Sequence, residues 1–181
     1  MMTTPRNLTA IVLLACVAAF SVPPPTADQI MADARAQAAS QNKSILLIFH
    51  ASWCSWCRQF EKFISSRDVE PIISRHFVIA RVDVQERGDK KSLDTPGGDE
   101  LMAAMGGGDA GGLPFFAFVD SNGKLIVNSL RPAGGKSENI GHPVAPEEVD
   151  WFMTMLAKAV PGLTKPESRA VERYLRNQKR K

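Results

Sequence analysis

The chain has 181 residues, 44% of them hydrophobic and 23% charged, a balance that excludes a disordered or fibrous protein and makes one globular domain the default. Three cysteines are too few for a disulfide scaffold, and a chain of this length needs no such staple. The net charge of +3 is uneven: residues 22–164 carry 14 Lys/Arg against 17 Asp/Glu, whereas residues 165–181 carry 7 against 2, which weighs against a nucleic-acid-binding face on the body.

Arg6 precedes an apolar run over residues 8–22 that ends at Pro23, Pro24 and Pro25, the layout of a secretory signal over residues 1–21. The run is shorter than the roughly 20 residues that span a bilayer, so no transmembrane segment is expected in the mature chain. A cut after Ala19 or Ser21 satisfies the small-residue rule. Leu13, Leu14, Ala15 and Cys16 also resemble a lipobox, which would make Cys16 a lipid anchor. The apolar run continues past that cysteine to Phe20, so simple cleavage is preferred. Either route exports the product, to a bacterial periplasm or the extracellular space, where disulfide chemistry is permitted.

Thr26 and Gln29 form a capping box for a first helix to about residue 41, with Ile30, Met31, Ala34 and Ala38 at helical spacing. Ile45, Leu46, Leu47, Ile48 and Phe49 are a continuous apolar run of strand length, as in a strand covered on both faces. Cys57, Phe60 and Ile64 predict a helix over about 54–66, and Asp68 could cap a further turn. Residues 77–84 read as a second strand, parallel to the first across that helical crossover. Residues 85–98 show no periodicity, and a short helix is expected near 99–105. The glycines of 106–112 lack the Gly-Lys-Ser/Thr ending of a phosphate loop, so flexibility is their expected role. Residues 115–119 and 125–130 predict a hairpin around Ser121, Asn122 and Gly123. Pro146, Glu147 and Glu148 open a helix carrying Val149, Phe152, Met153, Leu156 and Val160, which Pro161 and Gly162 break. The order predicts an α/β fold, a mixed sheet with helices on both faces over about 26–160. Thr164 and Glu167 cap a last basic helix over 164–181. Its Ala170, Val171, Tyr174 and Leu175 make a stripe suited to docking on the acidic body and too narrow for lipid insertion.

The segment Trp53-Cys54-Ser55-Trp56-Cys57 is the most specific of the chain. Two cysteines separated by two residues at a helix start, directly after a buried strand, share one turn. The first sulfur then meets unpaired N–H groups and the positive end of the helix dipole, which favour a thiolate. The pair can cycle between dithiol and disulfide with no cofactor, because the sulfurs themselves carry the electrons. Other readings compete. A zinc site wants four ligands, and only His50, His76 and His142 could complete one. Haem attachment needs His after the second cysteine, and position 58 is Arg58. A permanent disulfide across so small a loop is an inefficient staple.

The stretch from Phe49 to Cys57, the strand order around it, and Gly112, Leu113 and Pro114 before the third strand resemble the thioredoxin-like family, in particular its exported members with an aromatic residue before the second cysteine. The resemblance implies an exported thiol:disulfide oxidoreductase that exchanges disulfides with protein partners and with an upstream redox partner. It implies Cys54 as attacking and Cys57 as resolving cysteine, Pro114 as a cis-proline, and the Leu113 backbone pairing with substrate. Trp53 and Trp56 could offer partners an apolar rim or simply pack. The departures are Ser55 and Trp56 where thioredoxins carry Gly-Pro, and Ile48 where they bury an Asp. His50 or Glu61 could replace that carboxylate, although a packed imidazole and a solvated helix face are the preferred readings. Arg81 falls where the family often has a buried Lys. The alternative function is a metal-binding module of the same fold, holding zinc or copper through Cys54, Cys57 and a histidine.

Overall fold

The computed structural model describes residues 23–108 and 111–178. The signal expected over 1–21, its lipobox at Cys16, and Lys179, Arg180 and Lys181 lie outside the described residues. Helix α1, Ala27–Gln41, starts with the expected box: the Gln29 N–H donates to Thr26 Oγ1 and the Thr26 N–H to Gln29 Oε1. It ends at Asn42, whose left-handed φ of 53° stops the helix. Strand β1, Ser44–His50, follows, and its five central residues are buried, as the unbroken apolar run requires.

Helix α2 spans Ser55–Ile64 and α3 spans Glu70–His76. Val69, and not Asp68, occupies the α3 N-cap position, with no side-chain cap bond. Strand β2, Phe77–Asp83, pairs parallel to β1, and β3, Phe115–Val119, pairs antiparallel on the other side of β1. Strand β4, Leu125–Asn128, completes the order β2-β1-β3-β4. Helix α4, Gly98–Ala104, lies before β3. The predicted strand over 125–130 divides at Ser129, and the chain forms a separate hairpin, β5 Leu130–Ala133 and β6 Lys136–Asn139, that the sequence did not announce. Helix α5, Pro146–Ala159, and helix α6, Lys165–Arg176, finish the fold.

Side-chain alternation along β1 divides the core in two. Leu46 and Ile48 face Phe60 and Phe63 of α2, Phe152 of α5, and Val171 and Leu175 of α6. Ile45, Leu47 and Phe49 face α1, and Cys54 and Cys57 belong to that second cluster. Phe60, Phe63, Phe116, Phe118 and Phe152 are all fully buried, each worth about 1.5–3 kcal/mol on burial. The glycine run is not merely flexible. Gly106 (φ 88°) and Gly107 end α4 through N–H bonds to Ala103 and Met102 carbonyls, and a Cβ on Gly107 would lie 2.5 Å from Met102 Cγ.

Helix α6 is tied to the body at both ends. The Glu167 carboxylate accepts from Thr164 N–H and Oγ1, from Arg75 Nη1 at 2.9 Å, and pairs with His76 Nε2 at 3.2 Å. Arg176 reaches Asp150 of α5. The Thr164 bonds, with help from His76, pull the Glu167 carboxyl down from 4.5 to about 2. A depressed carboxyl stabilises the fold above its unfolded pKa, and that contribution disappears as pH falls from about 4.5 to about 2. Glu167→Gln should therefore lower stability at neutral pH by about 2 kcal/mol, or roughly 4–8 °C in Tm. The gap between mutant and wild type should close as the pH of the melts is taken down to about 2. A gap independent of pH would show that charge at Glu167 contributes nothing.

Candidate active site

Strand β1 delivers the chain to a short link, Ala51 to Trp53, after which Cys54 stands at the N-cap of α2. Cys54 Sγ accepts the Cys57 N–H at 3.0 Å. The first sulfur thus takes the bond that a Ser or Asp oxygen makes at an ordinary N-cap. The two sulfurs are joined as a disulfide with Cα atoms 5.3 Å apart. Cys54 and Cys57 are 3% and 4% exposed, whereas Trp53 and Trp56 are 38% and 52% exposed. The two tryptophans are thus the exposed side chains next to a buried disulfide.

The link is braced by a loop that the sequence left unread. Glu86, 4% exposed, accepts the Ser52 N–H on one carboxylate oxygen and the Ser52 hydroxyl, at 2.8 Å, on the other. Trp53 Nε1 donates to the Gln85 carbonyl at 2.8 Å, and the Arg87 guanidinium lies 3.6 Å from the Trp53 ring centroid. Arg58 Nη1 donates to the Ser52 carbonyl. The backbone two residues ahead of Cys54 is thereby fixed on both its donor and its acceptor side.

A second loop faces the dithiol helix. The Leu113–Pro114 peptide is cis, and Gly112 adopts φ 91°, where a side chain would be strained. Asn139, the last residue of β6, holds this turn: its Nδ2 donates to the Gly112 carbonyl at 2.8 Å and the Pro114 carbonyl at 3.1 Å. Its Oδ1 accepts from the hydroxyl of buried Ser129 at 2.7 Å and from the Gly141 N–H. The hairpin that the sequence concealed therefore clamps the proline loop. Asn139→Ala strips two carbonyls of their donor and should cost about 2 kcal/mol, and Asn139→Asp, which turns that donor into a carboxylate oxygen facing the same two carbonyls, should cost at least as much at neutral pH. Urea unfolding would measure both, and a wild-type midpoint for Asn139→Ala would contradict the clamp.

The sequence profile of a family described as thioredoxin-like matches residues 26–121, which include the disulfide and the proline loop. The chain belongs to the thioredoxin-like family. It is 33% identical over 97 residues to the thiol:disulfide interchange protein DsbD of Vibrio cholerae, a match covering 53% of this chain and 14% of that protein. DsbD of Actinobacillus pleuropneumoniae is 30% identical over 91 residues, covering 50% and 14%. The chain thus spans a small fraction of these relatives' length. Among solved structures, the disulphide isomerase from Xylella fastidiosa Temecula1 shares 27% identity over 63% of this chain and 80% of that one, with a TM-score of 0.46. The C-terminal domain of Neisseria meningitidis DsbD, in the oxidised form, shares 19% over 72% and 97%, with a TM-score of 0.45.

In this thioredoxin-like chain, the side chains proposed to replace the missing carboxylate have other partners. Glu61 forms a two-point ion pair with Arg81, at 2.8 and 2.9 Å. His50 Nδ1 lies 3.5 Å from Asp83 Oδ1, its parallel-register neighbour. Ile48 is 1% exposed and belongs to the Phe60 and Phe63 cluster, apart from the cluster that contains the cysteines. The three histidines do not converge. His76 is held by Glu167, and His142 pairs with Gln178 and stacks on Trp56 with centroids 6.2 Å apart. Burial lowers the His142 pKa, against smaller opposing effects from Gln178 and Glu148. Among the described residues, no group of three His, Cys, Asp or Glu is placed to hold a metal ion, so the zinc or copper alternative lacks a ligand set there.

Proposed function

We propose that this chain is an exported thiol:disulfide oxidoreductase that exchanges disulfides with protein partners through Cys54 and Cys57. Cys54 is the attacking cysteine and Cys57 the resolving one. Trp53, Trp56, Leu113 and Pro114 bind the partner around the reacting sulfur. The observation that carries this reading is the placement of Cys54 Sγ at the start of α2, accepting an amide N–H, where a thiolate is favoured.

The Cys54 thiolate attacks one sulfur of a partner disulfide. The new mixed disulfide forms as the partner S–S bond breaks, and the other partner sulfur leaves as a thiolate that takes a proton. The Cys57 thiolate then attacks Cys54 Sγ, closing the internal disulfide and releasing the second partner thiolate. The partner gains two electrons and two protons, and this chain loses them. An upstream dithiol protein returns them. The same steps in reverse oxidise a dithiol partner, and the reduction potential of the pair sets the direction.

Export rests on Arg6 and the apolar run before Pro23, with periplasmic or extracellular release by simple cleavage and lipidation at Cys16 as its variant. Among the described residues no helix is long and apolar enough to cross a membrane. The deciding experiment equilibrates the purified protein in glutathione redox buffers, counts free thiols at each ratio, and assays turnover of hydroxyethyl disulfide. A single two-electron transition with turnover is expected. A pair that neither titrates nor turns over would defeat the proposal.

A further inference from the structure

Beside the disulfide runs a groove of about 930 Å³, from Ser55 and Trp56, past Gly112 and Leu113, to Tyr174 and Gln178 at the end of α6. That volume is at the upper end for a small-molecule site and is enough for several residues of peptide. Three features describe what would fit. First, among the described residues no hydrogen bond engages the Leu113 N–H or carbonyl, so this main chain can pair with an extended segment. Second, among the described residues the lining contains no Lys, Arg or Asp. Its one carboxylate, Glu148, accepts the Val144 and Ala145 N–H groups on Oε2 at 2.9 and 2.7 Å, and its imidazole, His142, is buried, which lowers its pKa. An acidic segment entering here would lose water and gain no counter-charge among the described residues, and a basic one would find only Glu148, whose Oε2 is already shared by two N–H groups. Third, α6 is fastened to the groove floor: Gln178 pairs with His142 and donates to the Pro143 carbonyl at 3.2 Å, and His142 stacks on Trp56.

We propose that α6 forms one wall of a docking groove for an extended, uncharged stretch of the partner polypeptide beside its reacting cysteine. This rests on the thiol–disulfide reading above and names the partner chemistry of the same site. Arg176 then serves to seat the helix on Asp150, and selection lies with Tyr174 of α6 and Gln178 just beyond its end.

The test uses the full chain and short peptides whose cysteine is blocked as a mixed disulfide, with flanking residues uncharged, acidic or basic. Peptides with serine in place of the cysteine, titrated for Kd, read docking without any redox step. Wild type should bind and reduce the uncharged peptide at least about tenfold better than either charged one. Gln178→Glu should shift the ranking toward the basic peptide by a similar factor. Tyr174→Ala should lower the ratio of peptide to hydroxyethyl disulfide kcat/KM, and Tyr174→Phe, which keeps the ring packed on Phe63, should restore it if the alanine variant proves unstable. Equal Kd values for the three serine peptides, or a ranking unmoved by Gln178→Glu, would overturn the groove. Preference for the acidic peptide would assign docking to the basic surface instead. Failure of hydroxyethyl disulfide turnover with the Kd ranking intact would defeat only the redox reading.

Discussion

Cys54→Ser is expected to reduce turnover of a protein disulfide to background, roughly a thousand-fold or more below wild type, whereas Cys57→Ser should accumulate a covalent mixed disulfide with substrate. The asymmetry follows from position on the helix. Cys54 is the N-cap, and its sulfur accepts the Cys57 N–H. The dipole and amide stabilise its thiolate by about 0.3–1 kcal/mol at an exposed site and up to about 2 when partly buried. Cys57 lies a turn further along, in the same cluster and as buried as Cys54, so the expected asymmetry rests on the N-cap position of Cys54 alone. Non-reducing gels of each variant after incubation with a disulfide-bonded protein would show the trapped adduct. Equal adducts from both would contradict the assignment of roles.

How much of this could be read from the chain depends on the distance over which each feature acts. The apolar run of β1 and the box Thr26/Gln29 are local patterns, and the structure follows them closely. The box Thr164/Glu167 was equally plain, but its second duty, gathering Arg75 and His76 from α3, was not. Glu86 sits in a stretch without periodicity, and Ser52, its partner, is 34 residues away. Asn139 acts on Gly112 and Pro114, 27 and 25 residues distant. The β5–β6 hairpin escaped because its strands, with Arg131, Pro132, Lys136 and Glu138, are mostly half-buried or exposed and carry no alternating apolar face. Short polar strands are defined by their partners, and a single sequence shows no partners.

The position where thioredoxins bury an acid offers the sharpest check on the core. Ile48 faces Phe60, Phe63 and Phe116 and is in register with Arg81 on β2 and Phe116 on β3. Ile48→Asp removes a buried aliphatic group and puts a carboxylate in its place. The combined loss should be about 3–5 kcal/mol at neutral pH, enough to move Tm by roughly 10 °C in a chain of this size. Two further measurements separate this from a generic packing defect. Burial raises the pKa of an unpaired carboxyl, so the folded mutant takes up its proton more readily than the unfolded chain does. Its deficit against wild type should therefore shrink as pH is lowered toward about 4. Arg81, the strand neighbour, is engaged by Glu61. In a Glu61→Gln background the guanidinium is released, and the cost of Ile48→Asp should fall by about 1–2 kcal/mol, measured as a double-mutant cycle from urea midpoints. Wild-type stability for the single mutant would mean that Ile48 is not interior. A stable mutant with faster disulfide exchange would place a carboxylate beside the sulfurs, against the packing that puts Ile48 and the cysteines in separate clusters.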